Sequence, residues 1–176
     1  MSEQTFAVLT VIGPDRIGIA EDIAGLVASQ GGNIEESKMA VLGSEFAAIV
    51  LVSMPPAALE ALPALLKSRE RELNLGFALK RTTGPQTMAS GRSYLLETAS
   101  LDGPGIVQAV TAVLKRHRIN IEQLETETQP APWTGTPMFR LRATLILGAG
   151  VSTAQLKADL ARLEGERDLD ISLRPA

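Results

Sequence analysis

The chain has no cysteine. Disulfides, thiol nucleophiles and cysteine-ligated metals are therefore excluded, and a cytoplasmic setting is expected. Histidine is nearly absent: His117 is the only one among 176 residues. A Ser-His-acid triad would have to use it, beside a hydroxyl in a cleft. It stands instead in KRHR, at an expected helix end, where a solvated imidazole suits the helix dipole. Lys115, Arg116 and Arg118 suit the same dipole. Positive charge is not in excess, with 17 Lys and Arg against 20 Asp and Glu and a net charge of −3. Broad contact with nucleic acid needs a concentrated positive field, so no direct nucleic acid binding is expected. No apolar run approaches the length of a membrane span, and no membrane association is expected. The start, MSEQTFAVLTVIG, lacks the basic segment of a secretory signal. No dense cluster of acids offers converging oxygens to a hard metal, so neither metal nor cofactor is expected.

What is present is an ordinary globular composition, 45% hydrophobic and 21% charged, sufficient to bury a core. Its most informative feature is a repeat. Asp15 and Asp102 are 87 residues apart, and the same offset relates Gly18 to Gly105, Ile19 to Ile106, Asn33 to Asn120 and Ile34 to Ile121. Two copies are too few for a solenoid and indicate tandem domains. Residues 1–83 form the first, 84–91 a polar linker, and 92–176 the second.

Each copy passes through the same periods. An extended run, FAVLTVI or YLLETASL, leads into an Asp-x-x-Gly turn. An apolar stripe follows at helical spacing: Ile19, Ile23, Leu26 and Val27, then Ile106, Val110, Val113 and Leu114. Two further extended runs come next. A second helix is marked by Leu59, Leu62, Leu65 and Leu66, or by Leu156, Leu160 and Leu163 with Ser152 or Thr153 as cap. A short strand closes each copy. The order βαββαβ predicts an α+β fold: two antiparallel four-stranded sheets, each with its helices on one face. Right-handed crossovers favour the ferredoxin-like arrangement, with the second strand at an edge.

The Asp-x-x-Gly turns are not phosphate loops, since no Gly-Lys-Ser/Thr follows. Two readings remain. A helix N-terminus with a nearby glycine can receive a carboxylate, with Asp15 or Asp102 holding an ammonium group. Alternatively the turn is only a tight turn, and the Asp caps the helix. Glu35 and Glu36 point to opposite faces of a regular strand and make no acid/base pair without a bulge. KSRERE at 67–72 reads as the wet face of a helix end.

The stretches GPDRIG, GGNIEESKMAVLGSEFA, LDGPGIV, INIEQLETET and APWTGTPMF give the chain a resemblance to the ACT domain family. More narrowly, it resembles tandem-ACT proteins of the glycine cleavage system transcriptional repressor family. The resemblance implies ferredoxin-like modules that bind amino acids between the first turn of one domain and the second strand of its neighbour. Carried onto this sequence, it implicates Asp15, Arg16, Ile17, Gly18, Asn33 and Ile34, and in the second copy Asp102, Gly103, Pro104, Gly105, Asn120 and Ile121. Ile17 stands where proline is common, and Gly103 where arginine is common, so unequal sites are expected. The implied function is non-enzymatic: sensing a small, glycine-like amino acid and modulating transcription through a protein partner, either a transcription factor or an enzyme. A ligand-free interaction scaffold is the alternative, and a homo-oligomer is expected. Trp133, in an insertion of the second copy only, is expected to contact the other domain or a second chain, the alternative being a solvent-exposed loop with incidental packing.

Overall fold

The structure is a computed structural model that describes residues 4–85, 91–132 and 134–176. The chain divides into two compact units, Met1–Thr87 and Met88–Ala176. Trp133, expected at an interface, lies outside the described residues.

Unit 1 runs β1 (Thr5–Pro14), α1 (Ile19–Ser29), β2 (Asn33–Leu42), β3 (Glu45–Met54), α2 (Pro56–Leu73) and β4 (Gly76–Thr82). Unit 2 repeats this as β5 (Gly91–Leu101), α3 (Ile106–Arg116), β6 (Asn120–Pro130), β7 (Pro137–Gly148), α4 (Thr153–Arg167) and β8 (Asp170–Pro175). The sheets are antiparallel, with strand orders β2-β3-β1-β4 and β6-β7-β5-β8. The second strand of each copy is therefore an edge, as the crossover rule requires. β5 opens at Gly91, three residues before the expected Tyr94.

Alternation along the strands sets one buried face per sheet. In unit 1, Ala7, Leu9 and Val11 of β1 and Ala48, Val50 and Val52 of β3 meet Ile19, Ile23 and Val27 of α1 and Leu59, Leu62 and Leu66 of α2. In unit 2, Leu96, Leu141, Ala143 and Leu145 meet Val110, Val113 and Leu114 of α3 and Leu156, Leu160 and Leu163 of α4. Each fully buried Leu or Ile contributes about 1.5–3 kcal/mol, so these stripes dominate helix docking. Leu26 is only half-buried, at the margin of its stripe. Ser152 caps α4, its hydroxyl accepting from the Gln155 N–H at 3.4 Å.

Both edge strands carry a bulge at the same repeat position. Ile34 pairs with Val52 and Glu36 with Leu51, leaving Glu35 as the extra residue. Ile121 pairs with Leu145 and Gln123 with Thr144, leaving Glu122 as the extra residue. The bulge named as the condition for bringing Glu35 and Glu36 to one face is thus present. An inserted residue breaks the alternation. Both carboxylates now lie on the face away from the helices.

Candidate functional site

The chain must turn between Pro14 and Ile19, and again between Leu101 and Ile106. Gly18 and Gly105 make these turns possible. They are the N-caps of α1 and α3, in the left-handed region at φ 94 and φ 83. An L residue with a β-carbon would be strained there by about 1–2 kcal/mol. Neither cap is completed by a side chain, so the capping role considered for Asp15 and Asp102 is corrected. Both aspartates are exposed. Their backbones instead tie the strand ends: the Asp15 N–H donates to the Ser44 carbonyl at 2.9 Å and the Asp102 N–H to the Pro137 carbonyl at 3.0 Å. The first-turn N–H groups of both helices are left without a side-chain acceptor.

A guanidinium stands beside each glycine, but from different places in the chain. A β-carbon on Gly18 would lie 3.9 Å from Arg16 Nη1, and one on Gly105 would lie 3.9 Å from Arg167 Nη1. Arg16 belongs to the turn. Arg167 is in the last turn of α4 and restores the cation that Gly103 removes. The two cations differ in their partners. Arg16 Nη2 donates to Asp22 at 2.6 Å and to the Leu73 carbonyl at 3.4 Å. Among the described residues, Arg167 makes no hydrogen bond or ion pair. The position equivalent to Asp22 is Ala109, and that of Glu21 is Gln108. The first turn of α1 therefore carries two acids, and that of α3 carries none. An anion approaching α1 meets acids already placed against the helix dipole, whereas α3 presents its dipole together with a cation that has no partner among the described residues.

Arg167 was not among the residues singled out by sequence. Its signal was indirect: a cation missing at Gly103 and several arginines elsewhere in the same copy. Ile17 is fully exposed, and Pro104 is exposed at the matching position.

The structure does not bring all the expected residues of one copy together. Asp15–Gly18 follow the Pro14 end of β1, where Pro14 pairs with Glu45. Asn33 pairs with Ser53, which pairs with Phe6 at the other end of the same sheet. Eight residues of strand, about 26 Å, separate the two ends. Asp102–Gly105 and Asn120–Ile121 are divided in the same way, since Asn120 pairs with Ile146 and Ile146 with Ser93. Within each unit the turn and the Asn-Ile pair therefore stand at opposite ends of the sheet.

The ACT domain family model matches residues 5–80. The glycine cleavage system transcriptional repressor of Escherichia coli strain K12 is 32% identical over 157 residues, covering 89% of this chain and 83% of that protein. The chain belongs to this repressor family of tandem ACT-domain proteins. A protein of unknown function from Galdieria sulphuraria shares the fold over 99% of both chains, with a TM-score of 0.84 and 34% identity. A crystal structure provisionally described as a glycine cleavage system transcriptional repressor covers 98% of both chains, with a TM-score of 0.76 and 24% identity. That last likeness speaks to the fold.

The strand-start half of the first ACT domain is already organised. Glu35, displaced by the bulge, accepts hydrogen bonds from the Ser53 hydroxyl and from Asn33 Nδ2. These bonds, that from Ser53 foremost, hold its carboxyl below the usual carboxylate value. A carboxylate so stabilised is a poor general acid. Asn33 and Asn120 are exposed, while Ile34 and Ile121 are half-buried. His117 is not solvated as expected. It ends α3, and its Nε2 lies 2.9 Å from Asp159 Oδ2 on α4. This contact, together with the nearby Arg162 and Arg116, keeps the Asp159 carboxyl below its usual value. It also clamps the two helices at the end opposite Arg167. Among the described residues no cluster of His, Asp and Glu is placed to hold a metal ion, and no helix is long and apolar enough to cross a membrane.

Proposed function

We propose that this chain is a non-enzymatic regulator that binds a small amino acid at its ACT turns and relays the bound state to a protein partner controlling transcription. Glycine and its near relatives are the first candidates. The observation that carries the reading is the Arg167 guanidinium beside Gly105, without a partner among the described residues, at a helix start free of acids. A carboxylate placed there meets a charged fork and first-turn N–H groups. Asp102 is exposed on the same turn and suits the ammonium group. The turn in unit 1 has the same shape, but its cation is occupied by Asp22. Unit 2 is therefore the stronger site. Action through a partner fits the net charge of −3, which opposes broad contact with DNA, and fits the repressor name of the Escherichia coli relative.

Calorimetry and thermal shift against the common amino acids, beginning with glycine, test this reading. Saturable heat from one amino acid class, with one dominant site per chain, is expected. No heat and no stabilisation at millimolar ligand would overturn it in favour of a ligand-free scaffold.

A further inference from the structure

The two ACT domains share a fold but not an outer surface. The face turned away from the helices can be read in transverse rows from the strand register. In unit 2 the rows include Glu125–Arg142–Glu97–Ser172 and Glu127–Arg140–Ala99–Asp170. The charges there are internally matched. Arg142 lies 2.7 Å and Arg174 3.3 Å from Glu97, and Arg140 lies 3.9 Å from Glu127. Such a face is stable against water.

In unit 1 the same rows read Glu36–Leu51–Val8–Lys80, Lys38–Ile49–Thr10–Ala78 and Ala40–Ala47–Ile12–Gly76. The middle of this face is apolar and open. Ile49 is 50% exposed and Ile12 59%. The fold does not demand this, because unit 2 builds the same sheet with charges. A contiguous apolar surface on only one of two repeats marks a contact surface.

The row Glu36–Leu51–Val8–Lys80 indicates what covers it. Glu36 and Lys80 sit at opposite edges of one sheet, three strand spacings or about 14 Å apart. Among the described residues neither makes a hydrogen bond or ion pair. A two-fold axis parallel to the strands, laid against this face, reverses each row on itself. Glu36 of one copy then meets Lys80 of the other, and Leu51 meets Val8. The other two rows bring Ile49 against Thr10 and Ile12 against Ala47. Such self-complementarity is what an isologous contact requires.

The size also fits. Strands β1, β2 and β3 have 10 residues each. With about 3.3 Å rise and about 4.8 Å spacing, four strands cover about 600 Å². Two such faces bury about 1,200 Å², the lower end of the range for specific interfaces. We propose that the open sheet face of the first ACT domain is a homodimer interface, closed face to face by a second copy of this chain about a two-fold axis parallel to its strands.

Sedimentation equilibrium of the full chain across the micromolar range tests this, with circular dichroism to confirm folding. A dimer is expected for the wild type. Ile49→Lys should abolish it and leave the fold intact, because the side chain is already half exposed. Glu36→Lys alone and Lys80→Glu alone should each weaken the dimer by about tenfold or more through like-charge contact. The double variant Glu36→Lys with Lys80→Glu should restore it, because the two-fold axis pairs these residues across copies. The exchange also serves if Ile49→Lys fails to fold. Arg142→Ala, on the equivalent face of unit 2, should leave association unchanged. A wild type that stays monomeric, a dimer that survives Ile49→Lys, or an exchange that fails to restore association would each overturn the proposal.

Discussion

Arg167→Gln is the most direct test of which ACT domain holds the ligand. The side chain is exposed and makes no hydrogen bond or ion pair among the described residues. Its loss should therefore change stability by less than about 0.5 kcal/mol. A change in affinity is then a change at the site. A hydrogen bond from a charged donor contributes about 1.5–3 kcal/mol, equivalent to about 10- to 150-fold in affinity. Water reaches this guanidinium freely, which places the expected loss near tenfold. The paired Arg16 provides the converse test. Asp22 lies 2.6 Å from its Nη2, so a ligand carboxylate must displace an existing partner. Asp22→Ala should open a second site in unit 1, and Ala109→Asp should close the one in unit 2 by supplying the missing acid. Calorimetry with the responsive amino acid, at low and high salt, reads all three. The deficit of Arg167→Gln should shrink as salt screens the exposed charge. Affinity within about twofold of wild type for both Arg167→Gln and Ala109→Asp would refute the assignment.

Three further outcomes follow from the geometry. Gly18→Ala should cost about 1–2 kcal/mol in urea unfolding, from backbone strain at φ 94 and not from crowding, since the nearest neighbour of an added β-carbon is 3.9 Å away. An unchanged midpoint would show that α1 begins in another conformation. Ser152→Ala should cost about 0.5–1 kcal/mol by the same assay, near the low end because the cap bond is long at 3.4 Å; a gain in stability would argue against the cap. Arg142 foremost, with Arg174, holds the Glu97 carboxyl below its ordinary value of 4.5. Its folded value is depressed, so its stabilising contribution is present above the ordinary carboxylate range and is lost as pH falls through the folded value. The stability difference between wild type and Glu97→Gln should therefore be constant near neutrality and shrink below about pH 4.5. A difference that grows with acid would contradict the ion pairs.

The sequence by itself determined the elements and their order. Helical stripes and strand alternation are local patterns, and the 87-residue offset doubles each of them. It also located the two glycine turns, because a left-handed cap needs a residue without a β-carbon. Pairing was decided only by the tertiary structure. Period two says that Glu35 and Glu36 alternate, but the bulge that turns both to one face exists only in the register with Val52 and Leu51. The half-buried His117 acquires its partner because α4 crosses α3, and nothing near KRHR in the chain announces Asp159. Arg167 reaches Gly105 for the same reason. The charged face of unit 2 and the apolar face of unit 1 also depend on which residues the register aligns. Periodicity records how each segment meets its own surroundings. Which segments become those surroundings is set by long-range packing, and the cation beside each glycine is decided there.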